Sequence, residues 1–308
     1  IIMGNAFTPR AGMMIGLDFT QKYILKLGII FLGIRLSFED FIKFGSIAVP
    51  LIIICILSAL FLVKLLKMRV SISPKMAYLI AIGTSVCGAT AIVAIAPVLE
   101  AKKAEVAYAI ANITLFGVIA MLVYPYFAEW YFDGETLKIG LFLGTSIHET
   151  SQVAAAGLIY DQQFNSPEIL NVATVTKLIR NTFLVIMIPL IGFLYTRGKI
   201  KEKNYSILNI FPYFVLGFIA MIIIRNLGDQ FFTLENQNYH VWNTFIDYIK
   251  NLATVFLTMA MAAVGISINL SELKSMGYKP FVVGLIAALT VGFISILSLE
   301  TFLEPFLL

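Results

Sequence analysis

Charge is what this 308-residue chain has least of. Asp, Glu, Lys and Arg together make up 13% of it, about half the share of an ordinary globular protein. So few charges cannot clothe the surface of a soluble protein this size, and they exclude an intrinsically disordered chain as well. Cysteine is nearly absent. Cys55 and Cys87 are the two present, both inside apolar segments and without partners at metal-ligand spacing, which excludes a disulfide scaffold and a metal centre. A nucleotide-binding motif, a soluble domain and a low-complexity tract are also missing, so an ATP-driven pump and a cofactor enzyme find no support.

What remains is apolar. Hydrophobic residues make up 59% and mean hydropathy is +0.91. The runs are long enough for membrane helices rather than barrel strands. They cover roughly 22–36, 47–66, 76–99, 106–130, 137–160, 169–196, 211–227, 245–268 and 280–299. These predict an all-α polytopic membrane bundle of nine or ten segments forming one domain over 1–308. The opening Ile1-Ile2-Met3-Gly4-Asn5 reads as the tail of a helix, so a first helix is expected to be missing. The net charge of +4 comes from basic residues in short loops, where they set orientation rather than bind nucleic acid. Lys64–Lys75 and Arg197–Lys203 are placed in the cytoplasm on this rule. Arg35 and Arg225 read as snorkelling side chains, and Trp130 and Trp242 as an interfacial belt.

Two short repeats recur at consistent spacing. Gly83-Thr84-Ser85-Val86 matches Gly144-Thr145-Ser146-Ile147, and Ile110-Ala111-Asn112-Ile113-Thr114-Leu115 matches Val172-Ala173-Thr174-Val175-Thr176-Lys177. Leu32-Gly33-Ile34-Arg35-Leu36 likewise matches Val264-Gly265-Ile266-Ser267-Ile268. Loop charge makes this last pair inverted. The first pair is inverted as well if each glycine-broken segment is a re-entrant hairpin, one entering from each side; it is parallel if the segments cross fully. The charge pattern favours the hairpins. Inverted repeats of this kind mark secondary transporters.

Broken backbone at membrane depth must line a cavity or be packed in protein. Thr84, Ser85, Cys87, Gly88 and Ala89 at one break, and Thr145, Ser146, His148 and Gln152 at the other, are the candidate binding residues. Half-helix N-termini there present free N–H groups to an anion. Lys177 and Arg180, three apart within an apolar span, would supply positive charge. Asn112, Thr114 and Thr176 are candidate polar lining. His148 and Glu149 are candidates for a proton relay. Ser146, His148 and Glu149 also admit a rival reading as an intramembrane hydrolase, and a passive anion channel is a second rival.

The stretch from Gly83 to Ile92 with Ala96-Pro97-Val98, the run Glu105 to Ile110 continuing to Thr114-Leu115-Phe116-Gly117, the stretch Gly144 to Glu149 with Ser151 to Gly157, and Lys177-Leu178-Ile179-Arg180 resemble the YeiH-type family of sulfate exporters. The resemblance covers nearly the whole chain. It implies a multi-pass transporter of the bacterial inner membrane, related to the cation/proton antiporter and anion transporter group. The solute would be sulfate, sulfite or a small sulfonate. It also implies broken helices that cross fully, against the hairpins that the charges favour. The expected function is secondary transport of a small anion, outward, by alternating access, with no cofactor and with a proton or a sodium ion as coupling ion. Oligomeric state is left open, a homodimer being one option.

Overall fold

The computed structural model describes residues 11–36, 38–70, 72–196, 214–232, 239–267 and 278–303. The helix-tail opening, the loop Arg197–Lys203 and the repeat partner Ile268 lie outside them. Every element among the described residues is helical, as the composition requires. The chain divides into two compact units, one of Ile1–Ser46 with Pro212–Ile268, the other of Ile47–Phe211 with Asn269–Leu308.

In the first unit, α1 (Ala11–Phe19) continues through a wide turn at Thr20–Ile24 into α2 (Leu25–Leu32). Gly28 lies against Phe256 and Leu257. Gly33, from the second repeat, lets the carbonyl of Phe218 approach so closely that no Cβ would fit. Arg35 does not snorkel freely; it donates to Thr254 Oγ1 at 3.1 Å. Arg225 pairs with Asp229 at 2.6 Å. Trp130 is 78% exposed, as an interfacial residue should be, but Trp242 is only 9% exposed and corrects the belt expectation. It packs with Ile34, Met221, Ile246 and Ile249. Its indole N–H donates to Asp229 at 2.9 Å, which gives the buried ring the partner it needs.

The second unit contains α3 from Ile47 to its end (Phe38–Val70 in full), α4 (Pro74–Ile82), α5 (Gly88–Leu99), α6 (Lys103–Phe132), α7 (Thr136–Ser146), α8 (Thr150–Phe164), α9 (Pro167–Thr182), α10 (Leu184–Thr196) and, after the first unit's residues, α13 (Tyr278–Ser298). The first unit's later helices are α11 (Phe214–Phe231) and α12 (Tyr239–Ser267). Among the described residues, four helices are long and apolar enough to cross a membrane, or five if the pair around the 41° bend between α9 and α10 counts as one.

Both broken segments turn back. Pro74–Leu99 is long and apolar enough to span, yet Lys75 Nζ donates to the carbonyl of Glu100 at 2.6 Å. A straight helix would hold these residues about 37 Å apart. Ile92 also packs beside Gly83, so α4 and α5 are antiparallel. For the second segment, α9 serves as a ruler. Gly140 lies against Val172 and Gly144 against Thr176, so α7 runs parallel to α9. Thr150 Oγ1 accepts from Asn181 at 2.9 Å and Gly157 lies against Leu170, so α8 runs the other way. Each segment is a helical hairpin, as the loop charges favoured, and the full crossing implied by the resemblance is not what forms.

The hairpins approach α6 from its two ends. At the beginning of α6, Glu105 accepts from Ser73 Oγ at 2.9 Å and from its own helix cap at Lys102 N at 3.0 Å. Near its middle, Ile113 meets Gly83. At its far end, Tyr160 donates to Glu129 and the Tyr126 and Phe164 rings meet at 6.1 Å. The second tip climbs back to Thr114, whose carbonyl accepts from Gln152 at 3.1 Å. The pair α9–α10 then runs from the second hairpin's base to the first's: Tyr195 reaches Tyr78 with ring centroids 5.7 Å apart.

This arrangement predicts a labelling pattern. In a background without Cys55 and Cys87, single cysteines at Lys75 and Ala101 are expected to react with an impermeant thiol reagent from the same side of the membrane. Cysteines at Glu135 and Asn165 should react from the opposite side. Labelling of positions 75 and 101 from opposite sides would replace the hairpin by a crossing helix.

Candidate functional site

The interruptions that make the hairpin tips are local in origin. Ser73 caps α4 by accepting from Met76 N at 3.1 Å, with Pro74 preset for the first turn. The helix then widens over Gly83–Cys87 and breaks at Cys87, whose φ of −150° and ψ of 95° are extended. In the second hairpin, Ile147 (ψ 140°) and Glu149 (ψ 145°) are extended and end α7 and begin α8. Such breaks strand carbonyls at one helix end and amides at the next.

The two tips meet. Gly88 N donates to His148 O at 3.0 Å, Ala89 N donates to Glu149 Oε1 at 3.0 Å, and Cys87 Sγ lies 3.8 Å from Thr150 Oγ1. Thr114 Oγ1 donates to the same Glu149 oxygen at 3.4 Å. The carboxylate therefore occupies the N-terminal end of α5, a position where the helix field favours negative charge.

Lys177 and Arg180 join the tips from α9. Lys177 Nζ donates to Val86 O and Ile147 O, both at 2.9 Å, and to His148 O at 2.6 Å. Arg180 Nε donates to Ser85 O at 2.7 Å, Nη1 to Thr145 O at 2.5 Å and Ile147 O at 3.4 Å, and Nη2 to Thr84 O. Both side chains are fully buried. Among the described residues neither forms an ion pair; the pairs present are Lys138–Glu135, Arg225–Asp229 and Lys250–Asp247. The two cations satisfy carbonyls that the broken helices leave without intrahelical partners.

The two breaks and the two cations of α9 thus come together, and several of the candidate polar residues have local partners. Thr84 donates to Ile80 O at 2.8 Å and Ser85 to Ile82 O at 3.3 Å. Thr145 shares a hydrogen with Ser295 at 2.6 Å, which brings to the site α13, expected from the sequence as a membrane segment but not as part of the site. Asn112 donates to Pro280 O at 2.8 Å on the same helix. Ser146 donates to Phe142 O at 2.5 Å, so its hydroxyl proton is directed down α7 and not to His148. Five buried polar atoms around the tips have no hydrogen-bond partner among the described residues: His148 Nδ1, Gln152 Oε1, Thr176 Oγ1, Asn181 Oδ1 and Asn112 Oδ1. Buried polar atoms are rarely left so. Asn181 and Ser295 gave no signal of their own, being single polar residues in apolar helices.

Among the described residues no group of His, Cys, Asp and Glu could hold a metal ion.

The profile of the family described as Conserved hypothetical protein 698 matches residues 1–284. The chain belongs to this family. It is 32% identical over 302 residues to a UPF0324 membrane protein of Fusobacterium nucleatum, covering 96% of this chain and 86% of that one. It is 33% identical over 298 residues to one of Streptococcus agalactiae, covering 96% and 84%, and 33% identical over 293 residues to one of Pasteurella multocida, covering 92% and 80%. No solved structure matches the chain. The relatives are named membrane proteins, in agreement with the several apolar helices described here.

Proposed function

We propose that the protein is a secondary transporter of a small anion, an oxyanion such as sulfate, sulfite or a sulfonate, in the bacterial inner membrane. The observation that carries this reading is the charge balance at the tips. Two buried cations, Lys177 and Arg180, bind the carbonyls of the tips, where Glu149 supplies one carboxylate. Excess positive charge in a low-dielectric setting attracts a counter-ion of opposite sign. The unpartnered atoms of His148, Gln152, Thr176, Asn181 and Asn112 add polar groups that a hydrated or hydrogen-bonding solute would satisfy. The edge of the cluster is accessible: Glu149, Thr114 and Ala89 are partly exposed and Thr90 is exposed.

The opposed hairpins support the inverted-repeat reading of the first repeat, since Gly83 packs on α6 at Ile113 and Gly144 packs on α9 at Thr176, one residue beyond the repeat partner of Ile113. Tips joined by direct hydrogen bonds fit a carrier better than an open pore. The basic residues near the end of α3 and at Lys75 and Lys102 lie at one end of the hairpin unit, and Glu129, Asp133 and Glu135 at the other. The first end is accordingly cytoplasmic.

The test is uptake by proteoliposomes loaded with purified protein, read with sulfate, sulfite and small sulfonates against phosphate and chloride. Saturable uptake of at least one oxyanion is expected, and none across the panel would end the reading. Glu149 holds the end of α5 where the solute's charge would be favoured, so its protonation links uptake to pH. Glu149→Gln is expected to flatten the pH profile of uptake while Lys177 and Arg180 keep the tips joined. A Glu149→Gln variant with the wild-type pH profile would remove the proton from the mechanism.

A further inference from the structure

The three acceptors of Lys177 are all backbone carbonyls, at 2.9, 2.9 and 2.6 Å, one from the first tip and two from the second. An ammonium has three protons, so its donor capacity is spent. A ring of carbonyl oxygens on irregular backbone at membrane depth is the donor set with which proteins replace the hydration shell of a monovalent metal ion. Here that ring is filled by a charge carried on a four-carbon stem from α9. Glu149 directs its carboxylate to Ala89 N–H and Thr114 Oγ1 instead. Arg180 serves a different set of oxygens, those of Ser85, Thr84 and Thr145, and shares only Ile147 O.

We infer that Lys177 is a resident cation. Its ammonium permanently fills a carbonyl seat that an exchangeable monovalent cation would otherwise take, so the two hairpin tips stay joined without a metal ion. It follows that transport is not coupled to sodium at this seat. That last consequence rests on the transport reading; the seat itself rests on the geometry alone.

The test is made on the purified full chain in lipid nanodiscs, at constant ionic strength in N-methylglucamine chloride. Lys177→Ala removes the atoms of a propylammonium ion and leaves the carbonyls in place. Its melting temperature is expected to fall by about 5 °C or more. Propylammonium chloride should restore at least half of that loss with a saturable dose response, and potassium should restore less. The wild type should respond to neither, and 1-propanol, which has the shape without the charge, should restore nothing. A Lys177→Ala protein that ignores propylammonium, potassium and sodium, or that gains as much from propanol, overturns the inference. If Lys177→Ala accumulates only in cells supplied with propylammonium, that too supports it. Lys177→Met keeps the stem without the charge; a variant melting together with the wild type would overturn the inference even where the alanine variant cannot be purified. In proteoliposomes, anion uptake by the wild type should be equal in sodium and in N-methylglucamine, and a strict sodium requirement would overturn the coupling clause. Failure of all anion uptake would defeat the transport reading and leave the seat to the melting experiment.

Discussion

Replacing Arg180 by alanine is expected to cost about 3–5 kcal/mol of stability and to abolish transport, because the buried guanidinium binds carbonyls of both hairpin tips and its loss leaves them without a donor. Its donors reach Thr84 O and Ser85 O on one tip and Thr145 O and Ile147 O on the other. Without it those carbonyls are left buried at the ends of broken helices, and each hydrogen bond to a charged donor is worth about 1.5–3 kcal/mol. Arg180→Lys should recover little, since one ammonium cannot reproduce a planar fork that reaches both sides at once. Denaturation midpoints of the purified variants check the first statement, and oxyanion uptake the second. The two readouts together separate two roles. An Arg180→Ala protein that melts with the wild type but no longer takes up anion would put the guanidinium on the solute and not on the hairpins.

The second large effect is expected at Gly144. A methyl group there would lie 2.6 Å from Thr176 Cβ and 2.7 Å from the carbonyl oxygen of Ala173, atoms at the root of side chains or in the backbone of α9. Neither can yield without moving the helix that carries Lys177 and Arg180. Gly144→Ala is expected to destabilise by about 1–3 kcal/mol through overpacking and to impair transport through the displaced cations. Its repeat partner is more forgiving. At Gly83 the methyl would meet the far ends of Ile113 and Ile92, which can change rotamer. Gly83→Ala should therefore cost clearly less than Gly144→Ala in the same melting assay. Equal costs would show that α9 gives way as easily as an isoleucine tip.

These expectations mark how far the residues themselves could be read. The glycine-threonine-serine breaks were visible because a tip needs small residues where two chains approach closely, and the same need at both tips leaves the same letters at the same interval. Lys177 and Arg180 were visible because a cation inside an apolar run is costly enough to require a reason. Their partners were not visible. Every residue carries a carbonyl, so nothing in the letters Thr84, Ser85, Val86, Thr145, Ile147 or His148 says which of them accepts from a cation far along the chain. Trp242 was misread for a related reason: an indole in a helix near a polar loop fits an interface as well as it fits a buried contact, until Asp229 is seen beside it.

Composition and apolar run length therefore determined that this is a helical membrane protein with two interrupted segments and two intramembrane cations, since both are one-dimensional properties that solvation alone constrains. Only the tertiary structure decided that each interruption reverses the chain, that the two tips come together, and that the cations are bound by main-chain oxygens. The direction of a chain beyond a glycine depends on what it packs against, and the oxygens that receive a buried charge are shared by all residues and distinguished by position alone.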